Sequence, residues 1–193
     1  PCFAVAAGYG GEQNGSNQLY YFRIFNSEII KKGDYMGEKL KARPASESCT
    51  EQIQILMPEH INGYKRLFGG KLMEWIDVVA AVCARRHAQC NVTTAAVDHL
   101  VFQSAAYVNS TIVLKGRVTY VGKTSMEVRV DTFVESLNGE QRQINRAYLI
   151  MVALDENDRP TQVPGLICET EEEKAEWEAG KQRRETRRLR YGN

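Results

Sequence analysis

Polar and apolar residues alternate from Gln52 to Met57 (Gln52-Ile53-Gln54-Ile55-Leu56-Met57) and then turn apolar, which predicts a first strand that Pro58 ends. Asn62-Gly63 is a turn signal. Beyond Leu67-Phe68-Gly69-Gly70 the period changes from two to that of a helix. Leu72, Ile76, Val79, Ala80 and Cys83 share one helical face, and Trp75, Val78, Ala81 and Val82 fill much of the other. This predicts a helix from Lys71 to about Gln89 that is buried on most sides. Strands follow. Val92 to Phe102 is rich in Thr and Val. Ile112, Leu114, Val118 and Tyr120 alternate with Val113, Lys115, Arg117 and Thr119, and Met126, Val128, Val130 and Thr132 alternate with Glu127, Arg129 and Asp131. Asn138-Gly139 is the best hairpin signal in the chain. Ala147 to Leu154 is too continuously apolar for an edge strand and reads as central. One antiparallel sheet wrapping one buried helix buries the most apolar area with these pieces, an α+β architecture.

After Pro164 the pattern predicts a second helix. Thr170 with Glu173 forms a capping box, acids crowd its start and bases its end, which complements the helix dipole. Its apolar positions are few, so a surface or linking helix is expected, with the basic run Lys181 to Arg190 as a solvated face. The functional reading of that run is contact with ligand phosphates or RNA.

Residues 1–35 carry no sustained apolar period, and Gly8 to Gln18 reads as loop. PCFAVAAG lacks a basic stretch before it and fits a signal peptide poorly. The codons of Lys31-Lys32-Gly33-Asp34-Tyr35 can spell a purine-rich ribosome-binding site ahead of Met36. We therefore expect translation to start at Met36 and residues 1–35 to be conceptually translated leader, a genuine disordered extension being the alternative. Residues 36–50 are polar and expected to be mobile. The expected organisation is a leader over 1–50, a globular domain over 51–168 and a charged helix and tail over 169–193.

Composition narrows the function classes. Lys and Arg number 25 against 24 Asp and Glu, a net charge of +1. This gives no global reason to expect nucleic acid or an anionic membrane as partner. No apolar run approaches the roughly 20 residues that span a bilayer. The five cysteines, none in a C-x-x-C pair, and three histidines lack zinc-site spacing and suit a reduced cytoplasm. Neither G-x-S-x-G nor G-x-x-x-x-G-K-[ST] occurs.

Asp77 stands in the middle of the most apolar helix. A carboxylate buried there is what a general base or nucleophile needs. A satisfied structural Asp, or one on a narrow exposed stripe, is the other reading. Gly69-Gly70, just ahead of the helix, can offer unpaired backbone amides to a carbonyl oxygen, or can simply make a tight turn. Asp77 lies two turns further, about 10 Å along the axis, so an acid from a second copy would complete such a site. Asn62 can orient a water or close a turn. Thr124-Ser125 after Gly122 can bind phosphate or merely begin a strand. His60, His87 and His99 share no metal spacing.

The stretch Met57-Pro58 … Asn62 … Leu67-Phe68-Gly69-Gly70-Lys71-Leu72-Met73-Glu74-Trp75-Ile76-Asp77 resembles the hotdog-fold acyl-CoA thioesterases, in the branch of YciA-type and cytosolic acyl-CoA hydrolases. So do Val97-Asp98 … Phe102, Gly122-Lys123-Thr124-Ser125-Met126, and Val152-Ala153-Leu154-Asp155 … Arg159-Pro160 … Val163-Pro164. The matches run in order from Gln52 to Pro164.

The resemblance implies a hotdog fold and a cytoplasmic enzyme that hydrolyses acyl-CoA to free carboxylic acid and CoA. It implies no metal or cofactor, CoA being part of the substrate. It implies a homodimer, assembled as a trimer of dimers, with sites between subunits; from the charge balance, neither nucleic acid nor membrane is expected as partner. The family's catalytic Asp falls on Asp77, its catalytic Asn on Asn62 and its carbonyl-polarising glycines on Gly69 and Gly70. Phe68 falls at the substrate site, and Gly122, Lys123, Thr124 and Ser125 at the CoA site. The chain departs at His60-Ile61-Asn62, where relatives often read Asp-x-Asn, and at Ala105 and Asn109-Ser110, where they carry Pro and Gly-Asp. The alternative function is a non-catalytic acyl-CoA sensor on the same fold. A hotdog dehydratase would need a His ahead of the helix, where Phe68 stands.

Overall fold

The computed structural model describes residues 40–191, which belong to one compact unit. The leader reading of residues 1–35 lies outside the described residues. In chain order the elements are β1 (Arg43–Pro44), a 3-10 turn (Ala45–Ser48), β2 (Thr50–Ile55), a second 3-10 turn (Pro58–His60), α1 (Gly69–Ala88), β3 (Asn91–Phe102), β4 (Thr111–Val121), β5 (Ser125–Glu135), β6 (Gln141–Leu154), β7 (Leu166–Ile167) and α2 (Glu171–Tyr191).

Five strands form one antiparallel sheet in the order β2-β4-β5-β6-β3. It wraps α1, which meets all five strands. Leu72, Ile76, Val79, Ala80 and Cys83 of α1 pack on Leu114, Val128, Val130, Ala147, Leu149 and Met151, all buried. The expected helical face is therefore the core face, and β6 is interior as its apolar run predicts. Gly116 of β4 has no Cβ because one would meet Cys83 Sγ and Val79 Cγ1 at 2.7 Å. Burial pushes the Cys83 thiol up to about 11. The Asn138-Gly139 signal holds: Gly139 takes a φ of +85° in the turn joining β5 to β6. Asn109 takes a φ of 67°, a conformation asparagine tolerates.

Two expectations are corrected. Arg43–Ser48 is not a mobile polar lead. Arg43 N donates to Gly165 O at 2.9 Å as β1 pairs with β7. Ser48 is buried, its Oγ donating to Ala45 O at 2.7 Å and accepting Val118 N at 3.0 Å. Pairing of β2 with β4 stops at Thr50↔Gly116, so that hydroxyl takes over where the ladder ends.

The second correction concerns α2. Its capping box is present: Thr170 Oγ1 accepts Glu173 N at 3.2 Å and Thr170 N donates to Glu173 Oε2 at 3.2 Å. The helix is at the surface, as expected, but its basic run is not a solvated face. It lies on the outer face of the sheet and docks through charge. Arg183 makes a bidentate pair with Glu127, at 3.1 Å and 2.8 Å, although Glu127 is only 1% exposed. Thr119 Oγ1 donates to the same carboxylate at 2.9 Å. Glu176 accepts Arg129 at 2.5 Å and Tyr148 Oη at 3.0 Å, and Arg187 pairs with Asp98 at 2.5 Å. Burial opposes the Glu176 carboxylate, but the Arg129 charge and hydrogen bonds from Arg183, Tyr148 and Arg129 outweigh it and hold it below its usual range. Gly180 makes the approach possible, because a Cβ there would meet Tyr120 Cβ at 2.7 Å and Glu127 Oε1 at 2.9 Å.

Candidate active site

Asp77 lies in the third turn of α1, on a stripe with Met73 and Val78 that the sheet leaves uncovered. The sheet ends on that side with β3, an edge strand. Within the single chain the carboxylate is exposed and not sealed in the core, as the apolar context had suggested. Thr94 Oγ1 of β3 donates to Asp77 Oδ1 at 2.5 Å. Thr94 was missed by sequence reasoning. Its only trace was a Thr-rich strand following the helix, because nothing local links a helix carboxylate to a strand hydroxyl.

Around this pair the surface is apolar. Met73 and Val78 of α1 and Val97, Val101 and Phe102 of β3 are all exposed large side chains. One ladder side of β3 is unpaired, so an apolar patch and an open strand edge lie together here.

Asn62, Phe68, Gly69 and Gly70 form a second group at the start of α1. Asn62 closes a turn: its Oδ1 accepts Tyr64 N at 2.9 Å and Arg66 N at 3.3 Å, and its backbone N donates to Arg66 O at 2.8 Å. The side-chain amide Nδ2 is left to donate elsewhere. Phe68 N donates to His60 O at 2.9 Å, and Leu72 N closes the first helical turn on Phe68 O at 3.1 Å. The amides of Gly69, Gly70 and Lys71 precede that first bond and carry no intrahelical partner. The dipole of the twenty-residue helix adds positive potential there. The surroundings of the two glycines differ. A Cβ on Gly70 would meet Phe68 Cε1 at 2.7 Å, and one on Gly69 would meet Phe102 Cζ at 3.4 Å. His60 stacks edge-on against Trp75 with ring centroids 5.0 Å apart, and its Nδ1 accepts Met57 N at 3.2 Å.

Gly122 to Ser125 form a third group, the turn between β4 and β5. Gly122 N donates to Ser125 O at 2.7 Å, Ala153 N to Thr124 O at 2.9 Å and Val163 N to Lys123 O at 3.1 Å. These bonds fix the turn and leave the Lys123 side chain exposed. Arg184 of α2 comes to 3.6 Å from the Cβ position of Gly122 and bonds Tyr120 Oη at 3.2 Å. Across the sheet, Met126 pairs with Met151 and Met151 with Thr94, so this turn and the Asp77–Thr94 pair sit at the same level, two strands or about 10 Å apart.

One chain therefore holds the predicted residues as separate groups. Asp77 and Gly70 are seven positions apart on a straight helix, about 10 Å, too far to act on one carbonyl. Among the described residues no group of His, Cys, Asp and Glu could hold a metal ion, and no helix is long and apolar enough to cross a membrane.

Residues 64–139 match the model of the thioesterase superfamily. The uncharacterized acyl-CoA thioester hydrolase YkhA of Bacillus subtilis is 37% identical over 137 residues, 70% of this chain and 80% of its own. Among solved structures, an apo-hexameric acyl-CoA thioesterase superposes with a TM-score of 0.76 at 38% identity, over 79% of this chain and 99% of that one. The acyl-CoA hydrolase of Staphylococcus aureus, solved with butyryl coenzyme A, coenzyme A and coenzyme A disulfide, gives 0.74 at 33% identity, over 77% and 92%. That hydrolase has also been solved with one Asn, one Asp and one Thr each replaced by Ala, at positions 15 and 17 residues apart.

Proposed function

The chain belongs to the thioesterase superfamily as a hotdog-fold acyl-CoA thioester hydrolase, and from that membership we propose that Asp77, Thr94, Asn62 and Gly70 carry the reaction at a site shared by two subunits. The Thr94–Asp77 hydrogen bond at the uncovered edge carries this reading. Its spacing adds support: Asn62 and Asp77 are 15 residues apart and Asp77 and Thr94 are 17, the spacings of the Asn, Asp and Thr replaced in the Staphylococcus aureus hydrolase.

Thr94 occupies Asp77 Oδ1 and leaves Oδ2 to take a proton. Asp77 acts as general base on a water whose oxygen adds to the thioester carbonyl. The proton passes to Oδ2, and the carbonyl oxygen becomes an oxyanion held by the Gly70 N–H of the partner subunit, with Gly69 shaping the turn. An oxyanion donor of this kind lowers the barrier by about 3–4 kcal/mol. Asn62 of the partner subunit directs its Nδ2 at the water and the carbonyl. Collapse of the tetrahedral intermediate breaks the C–S bond, and the leaving CoA thiolate takes the proton from Asp77. Phe68 lines the acyl entrance, and Gly122, Lys123, Thr124 and Ser125 border the CoA portion.

The shared site requires a homodimer, and we place its contact along β3 and the Met73–Val78 stripe. Hexameric relatives support assembly of three such dimers. Free thiols at Cys49, Cys83, Cys90 and Cys168 suit a reducing compartment, the cytoplasm. Nothing favours the sensor reading. The test is thiol release from acyl-CoAs, acetyl to palmitoyl, by wild type and Asp77→Asn. Wild-type turnover by the variant on several chain lengths would overturn the assignment. A monomer by light scattering would remove the shared site.

A further inference from the structure

Between Thr94 and His99 the ladder joining β3 to β6 slips twice. Register shifts fall between Thr94 and Ala96 and between Val97 and His99, so Ala95 and Asp98 have no partner on β6. A one-residue change of register turns every side chain to the other face. A side-chain contact made by an extruded residue helps hold its bulge in place. Asp98, the residue extruded by the second one, is turned to the outer face. There Arg187 Nη1 meets its Oδ2 at 2.5 Å, with the two side chains only 18% and 20% exposed.

Arg187 is not a loose surface cation. One turn before it Arg183 is clamped on buried Glu127, and Arg187 itself lies 3.5 Å from Glu127 Oε2. Gly180 brings α2 close enough for both contacts. A continuous series of contacts therefore runs from the interior of the sheet through α2 to the bulge, and Thr94 stands four residues before Asp98 on the same strand.

We infer that Arg187 and Asp98 are positioning residues for thioester hydrolysis: the C-terminal helix pins the β3 bulge and so keeps the Thr94 hydroxyl on Asp77. This rests on the assignment of Asp77 and Thr94 to the reaction. It gives the charged tail a role in turnover that its lack of apolar residues does not suggest. Small displacements of a reacting group are costly, a shift near 1 Å being able to remove about 10²-fold in rate.

The experiment is a double-mutant cycle on the full-length oligomer, with acyl-CoA turnover resolved into kcat and KM. Asp98→Asn, which keeps the side chain's shape, and Arg187→Ala should each lower kcat by roughly 10- to 100-fold with KM within about twofold, and Arg187→Lys should recover part of the loss. In a Thr94→Ala background Asp98→Asn should cost nothing more, because the group it positions is gone. An equal fold loss in both backgrounds overturns the positioning role and leaves the Asp77–Thr94 site standing. Thr94→Ala with wild-type kcat overturns the site assignment itself, and this inference with it. Should Arg187→Ala fail to fold, the isosteric Asp98→Asn decides alone. A loss confined to KM, or one that follows the fraction unfolded by thermal melting, counts against it.

Discussion

Thr94 Oγ1 lies 2.5 Å from Asp77 Oδ1, joining the one edge strand that borders α1 on its open side to the carboxylate in the middle of that helix. The bond fixes the rotamer of an otherwise exposed acid and, in the proposed reaction, selects which oxygen faces substrate. Replacing Thr94 by Val keeps shape and removes the donor. We expect kcat to fall about tenfold or more, with Thr94→Ser close to wild type, since one hydrogen bond to a charged group is worth about 1.5–3 kcal/mol. Steady-state thiol release measures this, and equal activity of the Val and Ser variants would count against a role for the hydroxyl.

Asp77→Asn removes the base altogether. The expected loss is roughly 10²–10⁴-fold in kcat, with the oligomer intact by gel filtration. Because the side chain is exposed within one chain, its replacement leaves the fold's core untouched.

Gly70→Ala tests the other half of the site. The new methyl would stand 2.7 Å from Phe68 Cε1 and must displace that ring, which is 55% exposed and can yield. Unfolding midpoints in urea should therefore change little. Turnover should fall, since in the proposed site the ring and the amide beside it receive the carbonyl. A variant with unchanged kcat on short and long acyl chains would argue against Gly70 as the oxyanion donor.

Gly180→Ala is predicted to have the opposite balance. Alanine favours a helix interior over glycine by about 1 kcal/mol. Here its Cβ would meet Tyr120 Cβ at 2.7 Å, an atom fixed to strand backbone, and Glu127 Oε1 at 2.9 Å. We expect a net destabilisation of about 1–3 kcal/mol through overpacking, read from urea unfolding. A stabilised variant would mean that α2 does not sit this close to the sheet.

His87 makes stability depend on pH. It is fully buried, its Nε2–H donates to Pro164 O at 3.0 Å and its Nδ1 has no partner. Burial lowers its pKa below the ordinary value of 6.5, with Arg43 adding to the effect. The unfolded chain therefore binds a proton at a pH where the native one does not. The contribution is whole above about pH 6.5 and is lost as pH falls below it, at no more than about 1.4 kcal/mol per pH unit. Melting curves between pH 7.5 and 5 should show a shallower acid loss in His87→Gln than in wild type.

The period of apolar residues was enough to predict α1, all five strands of the main sheet and the interior position of β6, because burial against a single core demands a repeat of 3.6 or 2 whatever the neighbours are. Local chemistry was equally legible: the Thr170–Glu173 box and the Asn138-Gly139 turn involve residues only a few positions apart. The family pattern pointed to Asp77, Asn62 and the glycine pair. Thr94 stayed hidden because its partner is a helix residue 17 positions away.

Two features had no signature along the chain. One is the docking of α2, whose arginines read as solvated because hydropathy scores each residue alone, while Arg187 meets Asp98 from 89 positions away. The other is the uncovered stripe around Asp77: an apolar helix reads as enclosed, but the sheet's strand order ends at β3 and leaves that side open. Hydrophobic pattern depends on what each residue seeks from its surroundings. Ion pairing and sheet edges depend on which distant residues the fold brings together, and that information appears only once the chain has closed on itself.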